Sequence, residues 1–152
     1  MYIFLDVDGV LNTEADWAKK IYSLRPECVQ EFSWLLKALP NPKVVLSSSW
    51  CNGIARDGST EVHIKELIDA LSPAGIQKLD KTGVSPDGLR SKEINHYLGR
   101  NPKDSYIILD DDKTLFEEQE KTAYLFLTDP ARGLTHKDVS RVIMSVMKVK
   151  RK

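Results

Sequence analysis

Four strand-length runs of uninterrupted apolar residues constrain this chain more than any other feature. They lie at 2–6 (Tyr2-Ile3-Phe4-Leu5-Asp6), 43–48 (Lys43-Val44-Val45-Leu46-Ser47-Ser48), 105–110 (Ser105-Tyr106-Ile107-Ile108-Leu109-Asp110) and 123–127 (Ala123-Tyr124-Leu125-Phe126-Leu127). A strand with one wet face alternates apolar and polar residues. Continuous runs suit strands buried on both faces of a parallel sheet. A weaker candidate lies at 75–80.

Helical periodicity fills the gaps. Val29, Phe32, Leu36 and Leu39 fit one helix face, and Ile64, Leu67, Ile68 and Leu71 fit a second. Val139, Val142, Ile143, Val146 and Met147 mark a third, entered through Thr135 with Asp138 three residues on. A shorter helix is expected over 91–99. Strands alternating with helices require right-handed crossovers. The expected fold is therefore α/β: a doubly wound, Rossmann-like parallel sheet of about five strands, with helices on both faces. The 152 residues suit a single domain at 1–148, followed by a basic tail at 149–152 that includes Lys150, Arg151 and Lys152.

In such sheets ligands bind at the carboxyl ends of the strands. Three of the runs end there in polar clusters: Asp6/Asp8, Ser47-Ser48-Ser49 and Asp110-Asp111-Asp112. Residues i and i+2 of a strand share a face, which predicts that Asp6 and Asp8 are pushed together. Two like charges about 4 Å apart repel by about 1 kcal/mol in water and about 4 kcal/mol at an effective dielectric near 20. A bound cation, or a proton held on one of the pair, must offset that.

In order along the chain, these motifs resemble the haloacid dehalogenase-like (HAD) superfamily of phosphotransferases. Asp6-Val7-Asp8-Gly9-Val10-Leu11 looks like its first motif, the serine-ended strand like the second, and Ile107-Ile108-Leu109-Asp110-Asp111 like the acidic fourth. The third motif, a lone cation near a helix start, falls at Arg90 or Lys92. Leu46-Ser47-Ser48-Ser49-Trp50, Glu93-Ile94, Thr128-Asp129-Pro130 and Gly133-Leu134-Thr135 narrow the resemblance to the small HAD domains grouped with RNA-repair proteins. That subgroup often has arginine where this chain has Cys51; Arg56 is a candidate substitute.

The chemistry fits the spacing. Phosphoryl transfer needs a nucleophile, a proton for the leaving oxygen, and cations on the phosphoryl oxygens. Asp6 is the expected nucleophile, forming an aspartyl-phosphate, and Asp8 the general acid and base, holding a proton under the influence of Asp6. Gly9 lets the chain turn sharply. Mg²⁺ is expected on Asp6, the backbone carbonyl of Asp8, and Asp111, with Asp110 a direct ligand or one step removed. Ser48, ahead of Ser47, and either Arg90 or Lys92 are the expected phosphate-binding residues.

Plainer readings stand beside these. Asp6 and Asp8 could be solvated strand-end carboxylates, the serines ordinary turn residues, and Asp112 a helix cap. Trp17 and Trp50 could stack on a nucleobase or simply pack in the core. His63, His96 and His136 have no ligand-type spacing. Cys28 and Cys51 read as unpaired thiols of a reducing cytoplasm. With 22 basic and 22 acidic residues, no global field draws the chain to nucleic acid or membrane. No apolar segment nears the roughly 20 residues that span a bilayer, and the interrupting Asp6 and Asp8 exclude a secretory signal.

Residues 12–42 and 51–89 leave no room for a separate cap domain, given a usual domain minimum of about 50 residues. An open site suits large substrates. The expected activity is a Mg²⁺-dependent phosphatase acting on a nucleotide or a polynucleotide-end phosphate. The alternative is a non-catalytic HAD-fold module that binds phosphate, Mg²⁺ or a protein. A phosphoacceptor signalling domain would carry its acidic pair before its phosphorylated aspartate, the reverse of the order here.

Overall fold

The sheet follows from which runs are apolar enough to be covered twice. The computed structural model describes residues 1–103, 105–116 and 124–150, with residues 149 and 150 described by backbone alone. Five parallel strands run β1 Tyr2–Leu5, β2 Lys43–Leu46, β3 Asp80–Lys81, β4 Tyr106–Asp110 and β5 Leu125–Leu127. Their spatial order is β3-β2-β1-β4-β5. The order therefore reverses between β1 and β4, which makes their carboxyl ends the switch point of the sheet. The expected doubly wound α/β fold is the observed one.

Both faces of the sheet are covered. Helices α1 Glu14–Ala18, α2 Pro26–Ala38, α3 Val62–Leu71, α4 Arg90–Arg100 and α5 His136–Lys150 connect or follow the strands. Ile3, Leu5, Leu46 and Leu109 pack with Phe32 and Leu35 of α2, Ile64 and Leu67 of α3, and Val139 and Val142 of α5. Phe4, Val45 and Ile108 turn the other way, against Ile94 and Tyr97 of α4 and Phe116. Phe4 meets Tyr97 and Tyr106 edge-on, each at 5.7 Å between centroids. Such pairs contribute about 0.5–1.5 kcal/mol each beyond area burial.

Local chemistry sets the helix boundaries. Pro26 opens α2, where its missing N–H costs nothing. At α5 the expected reciprocal cap forms: Thr135 N donates to Asp138 Oδ2 (3.0 Å), and Asp138 N donates back to Thr135 Oγ1 (3.3 Å). That helix continues through Lys150, past the boundary placed at 148, while Arg151 and Lys152 lie outside the described residues. Ala123, the expected first residue of the last strand, also lies outside them.

Three expectations are corrected. The 75–80 run is not a strand: Ile76 and Leu79 enter the core, and only Asp80 and Lys81 pair with β2. Charge suits so short an edge, where Asp80 pairs with Lys43 and the Lys81 ammonium binds the Cys51 and Ile54 carbonyls. The 12–42 stretch, where periodicity marks one helix over 29–39, holds α1 as well as α2. At five residues, α1 is too short for periodicity to show; the Thr13 side chain caps it by accepting from Asp16 N. β1 ends at Leu5, one residue earlier than expected, because the chain turns at Val7, whose carbonyl accepts from Val10 N and Leu11 N.

The loop after β1 is clamped by the segment joining β5 to α5. Thr128 Oγ1 donates to the Gly9 carbonyl (2.8 Å), and Leu134 N donates to the Val10 carbonyl (2.7 Å). Between them Asp129 and Gly133 close a small bridge. Neither the 12–42 nor the 51–89 stretch forms a separate domain. Among the described residues no helix is long and apolar enough to cross a membrane.

Gly133 is the tightest point of the clamp. Its φ is +70°, and a Cβ there would lie 2.7 Å from Cys28 Sγ and 2.9 Å from the Val10 carbonyl oxygen. Gly133→Ala should therefore destabilise the fold by on the order of 2–3 kcal/mol. Urea unfolding measures this, and an unchanged midpoint would contradict the clamp.

Candidate active site

The sheet register builds the site. Leu5 pairs with Leu46 on one side and Leu109 on the other. The next row is therefore Ser47, Asp6 and Asp110, and the main chain holds it in line: Ser47 N donates to the Leu5 carbonyl (2.8 Å) and Asp6 N to the Leu109 carbonyl (2.9 Å). By alternation these three share the face of Val45, Phe4 and Ile108, the side covered by α4. All three are buried.

Asp111, half-buried, completes the cluster. One carboxylate oxygen from each of Asp6, Asp110 and Asp111 lies within 4.8 Å of the others. Room for Asp111 exists only because residue 9 is glycine: a Cβ there would drive into the Asp111 carboxylate, and the φ of +83° disfavours other residues as well. Burial pushes the Asp6 carboxyl well above the usual carboxylate range, reinforced by the negative charge of Asp110 and a hydrogen bond with Asp111. Asp110 shifts upward for the same first reason, against the pull of the Asp112 amide, which donates to its Oδ1 (2.9 Å). The all-oxygen trio is a fit for a hard divalent cation.

The carboxylates crowded together are thus Asp6, Asp110 and Asp111. The expected crowding of Asp6 against Asp8 does not occur, because Asp8 lies beyond the strand, where the same-side rule has no force. Asp8 Oδ1 instead accepts from Asn12 Nδ2 (2.8 Å) and from the Trp50 indole Nε1 (3.2 Å).

Ser47 and Ser48 separate clearly. Ser48 Oγ accepts from Trp50 N (3.2 Å), capping the 3₁₀ turn Ser49–Gly53. Ser47 Oγ is buried in the row beside Asp6 with no partner. Arg90 and Lys92 separate as well. Arg90 opens α4 on the stripe shared with Ile94 and Tyr97, and its positive charge acts on both Asp6 and Asp110. Its Nη1 meets Glu93 Oε2 (3.3 Å), while Glu93 Oε1 accepts from Ser85 N (2.9 Å). Lys92 pairs with Asp87 (2.6 Å) at the surface.

Among the described residues, the buried side-chain nitrogen and oxygen atoms without a hydrogen-bond partner are Ser47 Oγ, Arg90 Nε and Asp110 Oδ2. Each such orphan costs about 1–3 kcal/mol. All three belong to this site. Two can donate to an anion and the third can accept a cation.

Asn12 and Glu93 hold the site together; Glu93 belongs to the Glu93-Ile94 motif, which by itself assigns it no role, and Asn12 carries no motif-level signal. Asn12 Oδ1 accepts from Gly9 N (3.0 Å) while its amide holds Asp8. Its one visible sign is a buried amide within an apolar loop. Asp112 caps the 3₁₀ turn Lys113–Leu115, as its plainer reading has it. Arg56, exposed on the loop before α3, remains a candidate only.

A family model described as the HAD domain in Swiss Army Knife RNA repair proteins matches residues 2–139, a span that includes every residue of this site. No curated protein and no solved structure matches the chain.

The raised Asp6 carboxyl makes a signed prediction. The folded protein holds that proton more tightly than the unfolded chain does. This group's contribution to stability is thus full at acid pH. It is lost as pH rises from the unfolded value near 4 toward the higher folded one. In metal-free buffer at pH 8, Asp6→Asn should melt at least roughly 4 °C above wild type, with the gap closing at pH 4. Added Mg²⁺ should stabilise wild type alone. Calorimetry across pH checks both, and an Asn variant less stable than wild type at pH 8 would contradict the crowding.

Proposed function

We propose that this chain, which belongs to the family of HAD domains in Swiss Army Knife RNA repair proteins, is a Mg²⁺-dependent phosphatase acting through an aspartyl-phosphate. The observation that carries the reading is the set of buried orphans: hydroxyl, guanidinium and carboxylate atoms converging on one buried aspartate. A phosphoryl group with its cation satisfies all of them at once.

Asp6 is the nucleophile. One of its oxygens bonds to phosphorus as the bond to the leaving oxygen breaks, and Asp8 delivers a proton to that oxygen. Water then attacks the aspartyl-phosphate. Asp8 takes its proton back from that water, and inorganic phosphate leaves with the Asp6 carboxylate restored. Ser47 Oγ and Arg90 donate to the phosphoryl oxygens, and Glu93 holds Arg90 toward them. Asp6, Asp110 and Asp111 would hold Mg²⁺, with the Asp8 carbonyl as a further ligand. When bound, the ion neutralises their charge and that of the phosphoryl group.

The substrate is a nucleotide or a polynucleotide-end phosphate. Two points support this: the family's description names RNA repair proteins, and among the described residues the stretches 12–42 and 51–89 build no separate domain over the strand ends. The first is a family analogy and carries only the class of substrate.

Asp6→Asn should abolish Mg²⁺-dependent hydrolysis of p-nitrophenyl phosphate, lowering kcat by about 10³ or more. Ser47→Ala should lower kcat/KM by about 10-fold to 10²-fold and Arg90→Ala by about 10² or more, with Lys92→Ala near wild type. A panel of 3′- and 5′-phosphorylated oligonucleotides, nucleotides, sugar phosphates and phosphopeptides then reads the substrate class. Absence of Mg²⁺-dependent turnover across that panel would leave a phosphate-binding module in its place.

A further inference from the structure

The Trp50 side chain reaches Asp8, the aspartate of the first motif that lies outside the Asp6–Asp110–Asp111 cluster. Its indole Nε1 donates to Asp8 Oδ1 at 3.2 Å, the oxygen that also accepts from Asn12 Nδ2 at 2.8 Å. A carboxyl oxygen that accepts two N–H bonds is poorly placed to carry a hydrogen of its own. The two bonds also fix rotation about Cβ–Cγ, so Oδ2 is the oxygen left to face a leaving group.

Both donors are themselves held. Asn12 is anchored because its Oδ1 accepts from Gly9 N. Trp50 is anchored at its main chain by the Ser48 hydroxyl, and its ring meets His63 edge-on at 4.9 Å. His63 in turn is pressed against Gly53, where an added Cβ would lie 2.7 Å from His63 Nε2. A chain of contacts therefore runs from the loop after β2 to a residue 42 positions earlier, in the loop after β1.

We infer that Trp50 is a positioning residue: its indole N–H, with the Asn12 amide, turns the Asp8 carboxyl so that Oδ2 delivers the proton to the leaving oxygen. The inference rests on the phosphatase reading and extends it to a residue that sequence alone leaves between base stacking and core packing. It also gives Ser48 a role distinct from that of Ser47. Ser48 holds Trp50, which holds Asp8.

The test uses leaving groups. p-Nitrophenolate departs without a proton, whereas phenol and simple alcohols need one. Trp50→Phe keeps an aromatic ring and removes the N–H. It should lower kcat/KM for phenyl phosphate and glycerol 2-phosphate by about tenfold or more while leaving p-nitrophenyl phosphate within about twofold. Asp8→Asn should show the same selectivity, larger. Equal effects of Trp50→Phe on all three esters, or none, would overturn the inference while wild-type turnover kept the phosphatase reading. A wild type inactive on every ester would overturn both. Should Trp50→Phe fold poorly, the indole N–H resonance of Trp50, observed with Trp50 intact, decides. Asp8→Ala must move it, and an unmoved resonance would sink the contact.

Discussion

Everything at the working end of this molecule depends on three carboxylates held where they repel one another. Side-chain preference does not bring Asp6 and Asp110 together. The main-chain ladder does, because register across β1 and β4 makes them neighbours as soon as Leu5 and Leu109 are paired. The ladder in the apolar rows below thereby fixes the geometry of one costly row above. Two like charges some 4 Å apart oppose each other by about 4 kcal/mol at a dielectric near 20, and a third adds to that. The positive charge of Arg90 acts on both Asp6 and Asp110, and it is shared with Glu93. The surrounding structure bears the remaining load: Gly9 vacates the space Asp111 fills, and the Thr128–Leu134 segment ties down the loop that carries Gly9.

How much of this was legible beforehand depended on whether a feature is local. Three of the four long runs name themselves as doubly covered strands, whereas Leu125–Leu127 is a partly exposed edge strand; the Thr135–Asp138 cap is a four-residue pattern. β3 is neither, since two charged edge residues pair only because β2 is already in place. Which serine lies beside Asp6 is a question of register, which no single strand contains. Which of Arg90 and Lys92 shares the sheet-facing stripe could have been read from helix period. Residues 90, 94 and 97 make one stripe, and the apolar members Ile94 and Tyr97 mark it as the sheet-facing one. The orientation of Asp8 was not readable, because the rule that places i and i+2 on one face fails once the strand stops at Leu5.

That early stop has a chemical consequence. Had β1 continued through Asp8, a second acid on the Asp6 face would have joined a cluster already carrying Asp110 and Asp111. The turn at Val7 carries Asp8 out of that cluster and into contact with two neutral donors, an amide and an indole. The two aspartates of one short motif therefore live in different surroundings: one is buried among like charges, the other half-buried among N–H groups. The proposed division between a nucleophile and a proton carrier of the same residue type draws on that difference in environment.

The donors that hold Asp8 come from two loops, which makes its aim a tertiary property. Asn12 belongs to the same turn as Asp8 and moves with it. Trp50 is carried by the 3₁₀ turn that follows β2, whose first amide hydrogen bond to a side chain is supplied by Ser48. Strands β1 and β2 are hydrogen-bonded neighbours, so the distance between the two loops is set by the ladder below them. The ladder that crowds Asp6 against Asp110 on one side of β1 thus sets, on the other side, where the indole meets Asp8. One register supplies both the charged pocket and the orientation of the acid beside it. A slip of a single residue between β1 and β2 would separate Ser47 from Asp6 and Trp50 from Asp8 together.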